Sequence, residues 1–323
     1  MSLKNKSVLV TGGAGFVGSH LVDRLIKEEP EKIVVASNFY LGEAANLEDA
    51  RAVFSHLKIV RCDVADYEEI KEVIEANNID VVFNLAVIPL PTSLVKPEWT
   101  IRKNIEMTLN LCRFQRRGKF KTLIQYSSSE ALGSAKTVPM GETHQMDPET
   151  PYAASKAATD HIALSYHHTF GCDVSVIRPF NQYGPRQNAK KYAGIIPLMI
   201  GRVMRNEPLT IYGDGEQTRD FLYVTDTVDA TIKVYNDSAT RGKVLNIASG
   251  EEKSMNEVVK TIAQLMNCHR PLVYKEARIG DVRRHLADVS LAKNILLWRP
   301  QVSFKEGMKK TVEFYQQHPE RFK

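Results

Sequence analysis

Tyr152 and Lys156 stand four residues apart in Tyr152-Ala153-Ala154-Ser155-Lys156, which sets a phenol and an ammonium on one face of a helix. A tyrosine is a weak base because its ordinary pKa is about 10. A neighbouring ammonium favours the phenolate and brings it toward working pH. Upstream, Ser127-Ser128-Ser129-Glu130 supplies hydroxyls and a carboxylate at the end of a strand pattern. Near the amino terminus, Ser7-Val8-Leu9-Val10-Thr11 runs into Gly12-Gly13-Ala14-Gly15-Phe16-Val17-Gly18. Glycine is needed where the chain turns tightly, where backbone approaches phosphate and where helix packs on strand. A triplet that follows a strand and opens a helix reads as a grip for a dinucleotide's pyrophosphate, held by free N–H groups and the helix dipole. A bound dinucleotide with a base beside it is the chemistry these residues describe.

The elements that must position them alternate. Apolar, β-branched runs at 7–11, 32–36, 57–62, 81–85, 122–126 and 174–178 predict strands. Helical periodicity fits 16–28, 67–76, 98–116 and 152–170 between them. The strands are nearly all apolar, as expected when both sheet faces are covered. The expected fold class is α/β, a Rossmann-type doubly wound parallel sheet with a smaller, mixed C-terminal substrate lobe. Residues 1–178, with a return segment at about 221–250, form the dinucleotide-binding domain. Residues 179–220 and 251–323, richer in turns, form the lobe.

At 323 residues, 43% hydrophobic and 25% charged, the chain suits a large domain plus a smaller one. Its +5 charge is interspersed, so no basic block points to nucleic acid. Cys62, Cys112, Cys172 and Cys268 lack metal or redox spacing and read as reduced thiols. The most apolar run, 81–90, is broken by Asn84 and Pro89 and cannot span a bilayer. No membrane, metal or nucleic-acid partner is expected, and the location expected is cytoplasmic. His144, His161, His167 and His168 lack a partner at ligand spacing and read as solvated or packed.

The adenosine ribose is expected at the end of the second strand, at Ser37-Asn38, about 25 residues past Gly12. An acid there would select NAD. Ser37 bonds to either a hydroxyl or a phosphate, so NAD is expected with NADP possible. Asp63-Val64, after the third strand, either reaches the adenine edge or caps the next helix.

The glycine turn, the serine run, the Tyr152/Lys156 pair, Arg178-Pro179-Phe180-Asn181-Gln182-Tyr183-Gly184-Pro185-Arg186 and Gly213-Asp214-Gly215-Glu216-Gln217-Thr218-Arg219-Asp220-Phe221 resemble the extended short-chain dehydrogenase/reductase family. Within it they are similar to the nucleotide-sugar epimerases and dehydratases, along essentially the whole chain. The resemblance implies a retained NAD(P) that transiently oxidises the sugar at C4. It implies Ser128 as catalytic hydroxyl, Tyr152 as base and Lys156 as its tuner and ribose ligand. Phe16, Val17, Leu85, Ala86, Asn104 and Pro179 would join Gly12, Gly15, Gly18, Ser37, Asn38, Asp63 and Val64 around the cofactor. Ser93, Asn181, Arg186, Ile211, Tyr212, Arg219 and Arg283 would face a nucleotide-diphosphate sugar, for which forked guanidinium donors are suited. Helices 98–112 and 152–170 would form a four-helix homodimer interface.

Oxidation at C4 acidifies the C5 hydrogen, and a carboxylate can then remove that proton and expel the C6 hydroxyl as water. Ser128-Ser129-Glu130 looks like the dehydratase triplet of hydroxyl residue, Asp or Ser, then Glu. The lead expectation is therefore an NDP-hexose 4,6-dehydratase of UDP-N-acetylglucosamine type. Leu132, Asn84 and Ser37 depart from common patterns, and the tail Gly280-Asp281-Val282-Arg283-Arg284-His285-Leu286-Ala287-Asp288 looks more like that of the 4-epimerases. A 4-epimerase is the alternative. A uronate decarboxylase, with Arg186, Arg283 or Arg284 on the substrate carboxylate, is a further one.

Overall fold

The computed structural model describes residues 1–190, 192–277 and 282–323, so Gly280 and Asp281 of the tail motif lie outside the described residues. Six strands come in the order expected: β1 (Ser7–Thr11), β2 (Lys32–Ser37), β3 (Leu57–Arg61), β4 (Val81–Asn84), β5 (Thr122–Tyr126) and β6 (Asp173–Pro179). Their ends fall within a residue or two of the pattern's. After β7 (Asn181–Tyr183), β8 (Leu209–Tyr212) and β9 (Thr218–Tyr223), β10 (Val244–Ile247) returns to pair with β6. The result is a seven-stranded parallel sheet in the order β3-β2-β1-β4-β5-β6-β10. Because β1 pairs with both β2 and β4, the connections diverge there, which opens a crevice at the strands' carboxyl ends.

Helices cover both faces, which explains the unbroken burial of β1, β4 and β5. Taking the helices in chain order, α1 (Phe16–Ile26), α8 (Val224–Asn236) and α10 (Ser290–Leu296) bury Leu21, Val22, Leu25, Val228, Ile232 and Leu296 on one face. On the other, α3 (Tyr67–Asn77), α5 (Pro97–Arg116) and α6 (Pro151–Phe170) bury Ile70, Val73, Met107, Leu111 and Ala163. The short α2 (Glu48–Val53) and α4 (Leu90–Ser93) lie in the connections.

A third apolar cluster has its own elements. It joins α7 (Ile195–Met204), α9 (Met255–Leu265) and α11 (Phe304–Gln317) to β8 and β9. Here β9 pairs parallel with β7 and antiparallel with β11 (Glu252–Ser254), while β8 pairs with β12 (Leu272–Lys275). Asp220 ties this region to the large sheet. Its buried carboxylate accepts from Ser249 Oγ at 2.6 Å and from the Ser249 and Gly250 N–H groups at 2.8 and 2.9 Å.

Candidate active site

The crevice begins at the glycine turn. Gly12 takes φ +67°, and a Cβ there would lie 2.9 Å from the Ala86 backbone nitrogen. A Cβ on Gly18 would collide with the Gly12 carbonyl, so α1 can approach β1 only with glycine at that point. Gly15 caps α1 without a side-chain acceptor, and the first turn carries no acid. Its N–H groups therefore face a cleft of about 270 Å³ lined by Gly12, Gly15, Phe16, Val17, Gly18, Ser37, Asn38, Val64, Leu85, Ala86, Tyr152, Lys156 and Pro179. An uncapped helix N-terminus with no acid in its first turn is the donor set a pyrophosphate needs, so these residues fit a dinucleotide.

Two expected cofactor residues stand behind this lining. Asp63 accepts from Lys103 at 2.7 Å and from the Ala65 N–H at 3.0 Å, so its carboxylate braces the loop. Asn104 accepts the Ile88 N–H at 2.8 Å and donates to the Ile88 carbonyl and Ser155 Oγ, which holds the loop after β4 in place.

At the sheet's switch point a polar chain crosses three strands. Thr11 donates to Asn84 Oδ1 at 2.6 Å, and Asn84 Nδ2 donates to Gln125 Oε1 at 2.7 Å. Thr11 Oγ1 also accepts the Ala86 N–H at 3.2 Å, fixing the loop that Gly12 touches. Asn84, one of the departures noted in the sequence, thus bridges the two neighbouring strands with both ends of its amide. Sequence reading noted its identity but had no signal for its partners.

Helix α6 carries the reactive pair. Thr150 caps it by accepting the Ala153 N–H at 3.2 Å, and Pro151 starts it, so Tyr152 sits in the first turn at the cleft wall. Tyr152 is hydrogen-bonded to Ser128. Ser128 begins the turn Ser129–Leu132, its Oγ accepting the Glu130 N–H at 3.3 Å. Phenol, hydroxyl and the Glu130 carboxylate share one corner, close enough that Glu130 acts electrostatically on Tyr152. Ser129 is buried behind them.

The expected tuning of the phenol is reversed in the protein alone. Burial pushes Tyr152 up to about 12, the Ser128 hydrogen bond opposes this, and Glu130 and Asp160 add to it. Lys156 donates its ammonium to the Tyr126 carbonyl instead. Burial brings Lys156 down to about 8, with Asp160 pulling the other way.

A second cleft, of about 490 Å³, adjoins the first at Gln182, which lines both. Asn181, Ile211, Tyr212 and Arg219 line it, as expected of substrate ligands. Asn181 Nδ2 is buried there without a protein partner, a donor held ready for a polar ligand. Arg219 reaches the Thr218 and Val282 carbonyls at 2.9 and 2.5 Å. Three other expected ligands point elsewhere. Arg283 is 65% exposed in an ion pair with Asp214 at 2.7 Å, and Ser93 is wholly buried, donating to the Leu90 carbonyl. Arg186 lines the first cleft rather than the second, its guanidinium on Asp23 at 2.6 Å and Asp49 at 3.4 Å. Such pairings depend on chain contacts that linear spacing does not encode.

A parallel sheet switched at β1, a glycine turn facing an uncapped helix and a Ser-Tyr-Lys corner define a dinucleotide-dependent enzyme of the short-chain dehydrogenase/reductase class. The family model described as GDP-mannose 4,6 dehydratase matches residues 9–311. UDP-glucose 4-epimerase of Mycolicibacterium smegmatis is 32% identical over 309 residues, covering 95% of this chain and 97% of its own. UDP-N-acetyl-alpha-D-glucosaminuronate decarboxylase of Bacillus cytotoxicus is 32% identical over 97% of this chain and 98% of its own. The crystal structure of dTDP-glucose 4,6-dehydratase from Bacillus anthracis in complex with NAD superposes with a TM-score of 0.87 and 30% identity, covering 98% of each chain. The chain belongs to the extended short-chain dehydrogenase/reductase family, among its NAD-dependent nucleotide-sugar epimerases, 4,6-dehydratases and decarboxylases.

Proposed function

We propose that the protein is a nucleotide-diphosphate-hexose 4,6-dehydratase acting on a UDP-N-acetylglucosamine-like sugar. The observation that carries this is Glu130, a carboxylate on the same turn as Ser128 and within electrostatic range of Tyr152. A 4-epimerase has no task for that group. NAD supplies, when bound, a reversible hydride acceptor for the sugar's C4 and a positive ring beside the phenol. Tyr152, ionised and steadied by the Ser128 hydroxyl, takes the C4 hydroxyl proton. Lys156 holds the strand end at Tyr126 and offers its remaining donors to the cofactor ribose. Glu130 removes the C5 proton next to the ketone and hands it to the C6 hydroxyl, which leaves as water; the hydride taken from C4 would then return to C6 with a proton to C5, so that the bound NAD would end oxidised as it began. Asn181 and Arg219 meet the diphosphate, with Ile211 and Tyr212 beside the base.

Against the decarboxylase, Arg186, Arg283 and Arg284 are each held by carboxylates: Asp23 with Asp49, Asp214, and Glu252. A uronate carboxylate would have to displace one of them, a small cost at the exposed Arg283 and Arg284 pairs and a larger one at Arg186. We draw the substrate lobe as residues 179–220 and 251–323, and assign the protein to the cytoplasm as a homodimer through α5 and α6.

The test is the mass of the product when the purified protein meets a panel of nucleotide sugars. Loss of water supports the proposal. An unchanged mass with altered configuration makes it an epimerase, and loss of carbon dioxide a decarboxylase. Tyr152→Phe abolishes turnover in every case; if it does not, the catalytic corner is misassigned.

A further inference from the structure

The turn that carries Glu130 is held at both ends by side chains from other elements. At its start, Ser127 Oγ donates to Asp160. At its end, the Gly133 N–H closes the turn on the Glu130 carbonyl at 3.0 Å. Gly133 takes φ +68°, and a Cβ there would collide with the Asp147 carbonyl, so its peptide is tightly enclosed. The Gly133 carbonyl lies 2.9 Å from Nε2 of His285. A carbonyl only accepts, so Nε2 carries the proton and donates it. That leaves Nδ1 as a bare acceptor, buried without a protein partner. His285 is wholly buried, and burial brings it down to about 4, so the ring is neutral at working pH. An apolar residue of similar size would avoid the cost of the unmet Nδ1. What the imidazole adds here is the bond it donates.

His285 reaches the turn from the substrate side. Its own N–H donates to the Thr218 carbonyl at 3.3 Å, and the Thr218 N–H to the Arg283 carbonyl at 3.1 Å, which lays this segment along β9. Next on β9 is Arg219, which lines the second cleft, donates to the Val282 carbonyl and acts electrostatically on the imidazole. On the segment's other side, the Met140 N–H donates to the Leu286 carbonyl at 2.8 Å and the Asp288 N–H to the Met140 carbonyl at 2.9 Å. Residues 282–288 therefore run between the strand that bears the proposed diphosphate ligand and the loop that leaves the catalytic turn. His285 lines neither cleft, so whatever it does to the chemistry it does through Gly133.

We propose that His285 is a positioning residue for the elimination step: through Gly133 it fixes the far end of the turn and so holds the Glu130 carboxylate toward the sugar's C5, in step with a diphosphate at Arg219. This rests on the dehydratase reading above. Without the bond, the Gly133 end of the turn loosens. Ser128 and Tyr152 keep their supports, the Ser127–Asp160 bond and the first turn of α6. Proton removal at C5 then suffers, while oxidation at C4 does not.

The test compares His285→Leu, which fills the space without a donor, with His285→Gln, whose amide nitrogen can take the place of Nε2. Each full chain, loaded with NAD, meets UDP-N-acetylglucosamine or whichever sugar of the panel loses water, and reduced-nicotinamide absorbance is followed beside product mass. His285→Leu is expected to lower kcat for loss of water by about tenfold to a hundredfold, with KM held within about twofold. Reduced nicotinamide builds up in it, and calorimetry finds NAD+ bound as in wild type. His285→Gln returns kcat to within about threefold of wild type. Should the leucine variant not fold, His285→Met, equally without a donor and more adaptable in shape, takes its place. The proposal is overturned if the donor-free variant keeps its kcat, or if it loses oxidation, elimination and NAD+ binding together, as a merely structural residue would. Glu130→Gln run in parallel separates the two readings. If it accumulates reduced nicotinamide and the donor-free variant does not, His285 alone is misassigned. If no sugar of the panel loses water, the dehydratase reading is wrong and His285 has no such role.

Discussion

Arg178 donates through Nη2 to Asp160 Oδ2 at 3.0 Å, and neither side chain reaches solvent. The same oxygen accepts from Ser127 Oγ at 2.6 Å, so the pair anchors the end of β5 to α6 one helical turn beyond Lys156. Arg178 Nε and Nη1 and Asp160 Oδ1 have no protein partner, which makes the pair costly unless both charges stay. Asp160→Asn leaves a buried guanidinium uncompensated and is expected to cost about 3–5 kcal/mol, read as a lower urea midpoint. Exchanging both partners for apolar residues, Asp160→Leu with Arg178→Met, recovers most of that loss. A double variant no better than the single would show that the pair itself holds the fold.

Lys156 makes stability depend on pH in an alkaline window. Its folded pKa of about 8 lies below the ordinary 10.5, so the unfolded chain binds the extra proton between those values. Stability therefore rises from pH 8 toward 10.5, relieving a cost of about 3 kcal/mol present at neutral pH. Lys156→Met melts higher than wild type at pH 7, and the gap closes by pH 10.5. Tyr152 works in the opposite sense higher up: its folded pKa exceeds the unfolded value of 10, so stability is lost from pH 10 toward 12.

His285 gives the acid counterpart. It is fully buried against the Gly133 carbonyl at 2.9 Å, and burial lowers it from 6.5 to about 4. The unfolded state takes up the proton first, so stability falls as pH drops from 6.5 to 4, by about 3 kcal/mol for this group. His285→Gln flattens that limb in denaturation curves at pH 7, 6 and 5. A wild-type slope unchanged by the substitution would mean that His20, also lowered to about 4 by burial, carries the effect.

Glu130 separates two halves of the proposed reaction. Glu130→Gln is expected to slow loss of water by about 10²–10⁴, the range for a general base. Oxidation at C4 continues, because Tyr152 and Ser128 are untouched. Reduced-nicotinamide absorbance that builds up without dehydrated product is the expected signature. Unaltered turnover in this variant would favour the 4-epimerase.

The amino-acid sequence by itself determined what is local. The glycine turn between β1 and α1, the apolar strands and the Tyr152/Lys156 spacing all follow from neighbours within one or two turns of chain, where periodicity and backbone sterics act. Tertiary structure alone decided what crosses elements. Asn84 bridges Thr11 and Gln125 because β4 lies between β1 and β5, an order the linear chain does not state. The partners of Asp63, Arg186 and Arg283 were hidden for the same reason, and so was the turning of Lys156 to Tyr126. A charged side chain goes to the nearest group that compensates its desolvation, and only the folded chain settles which group that is.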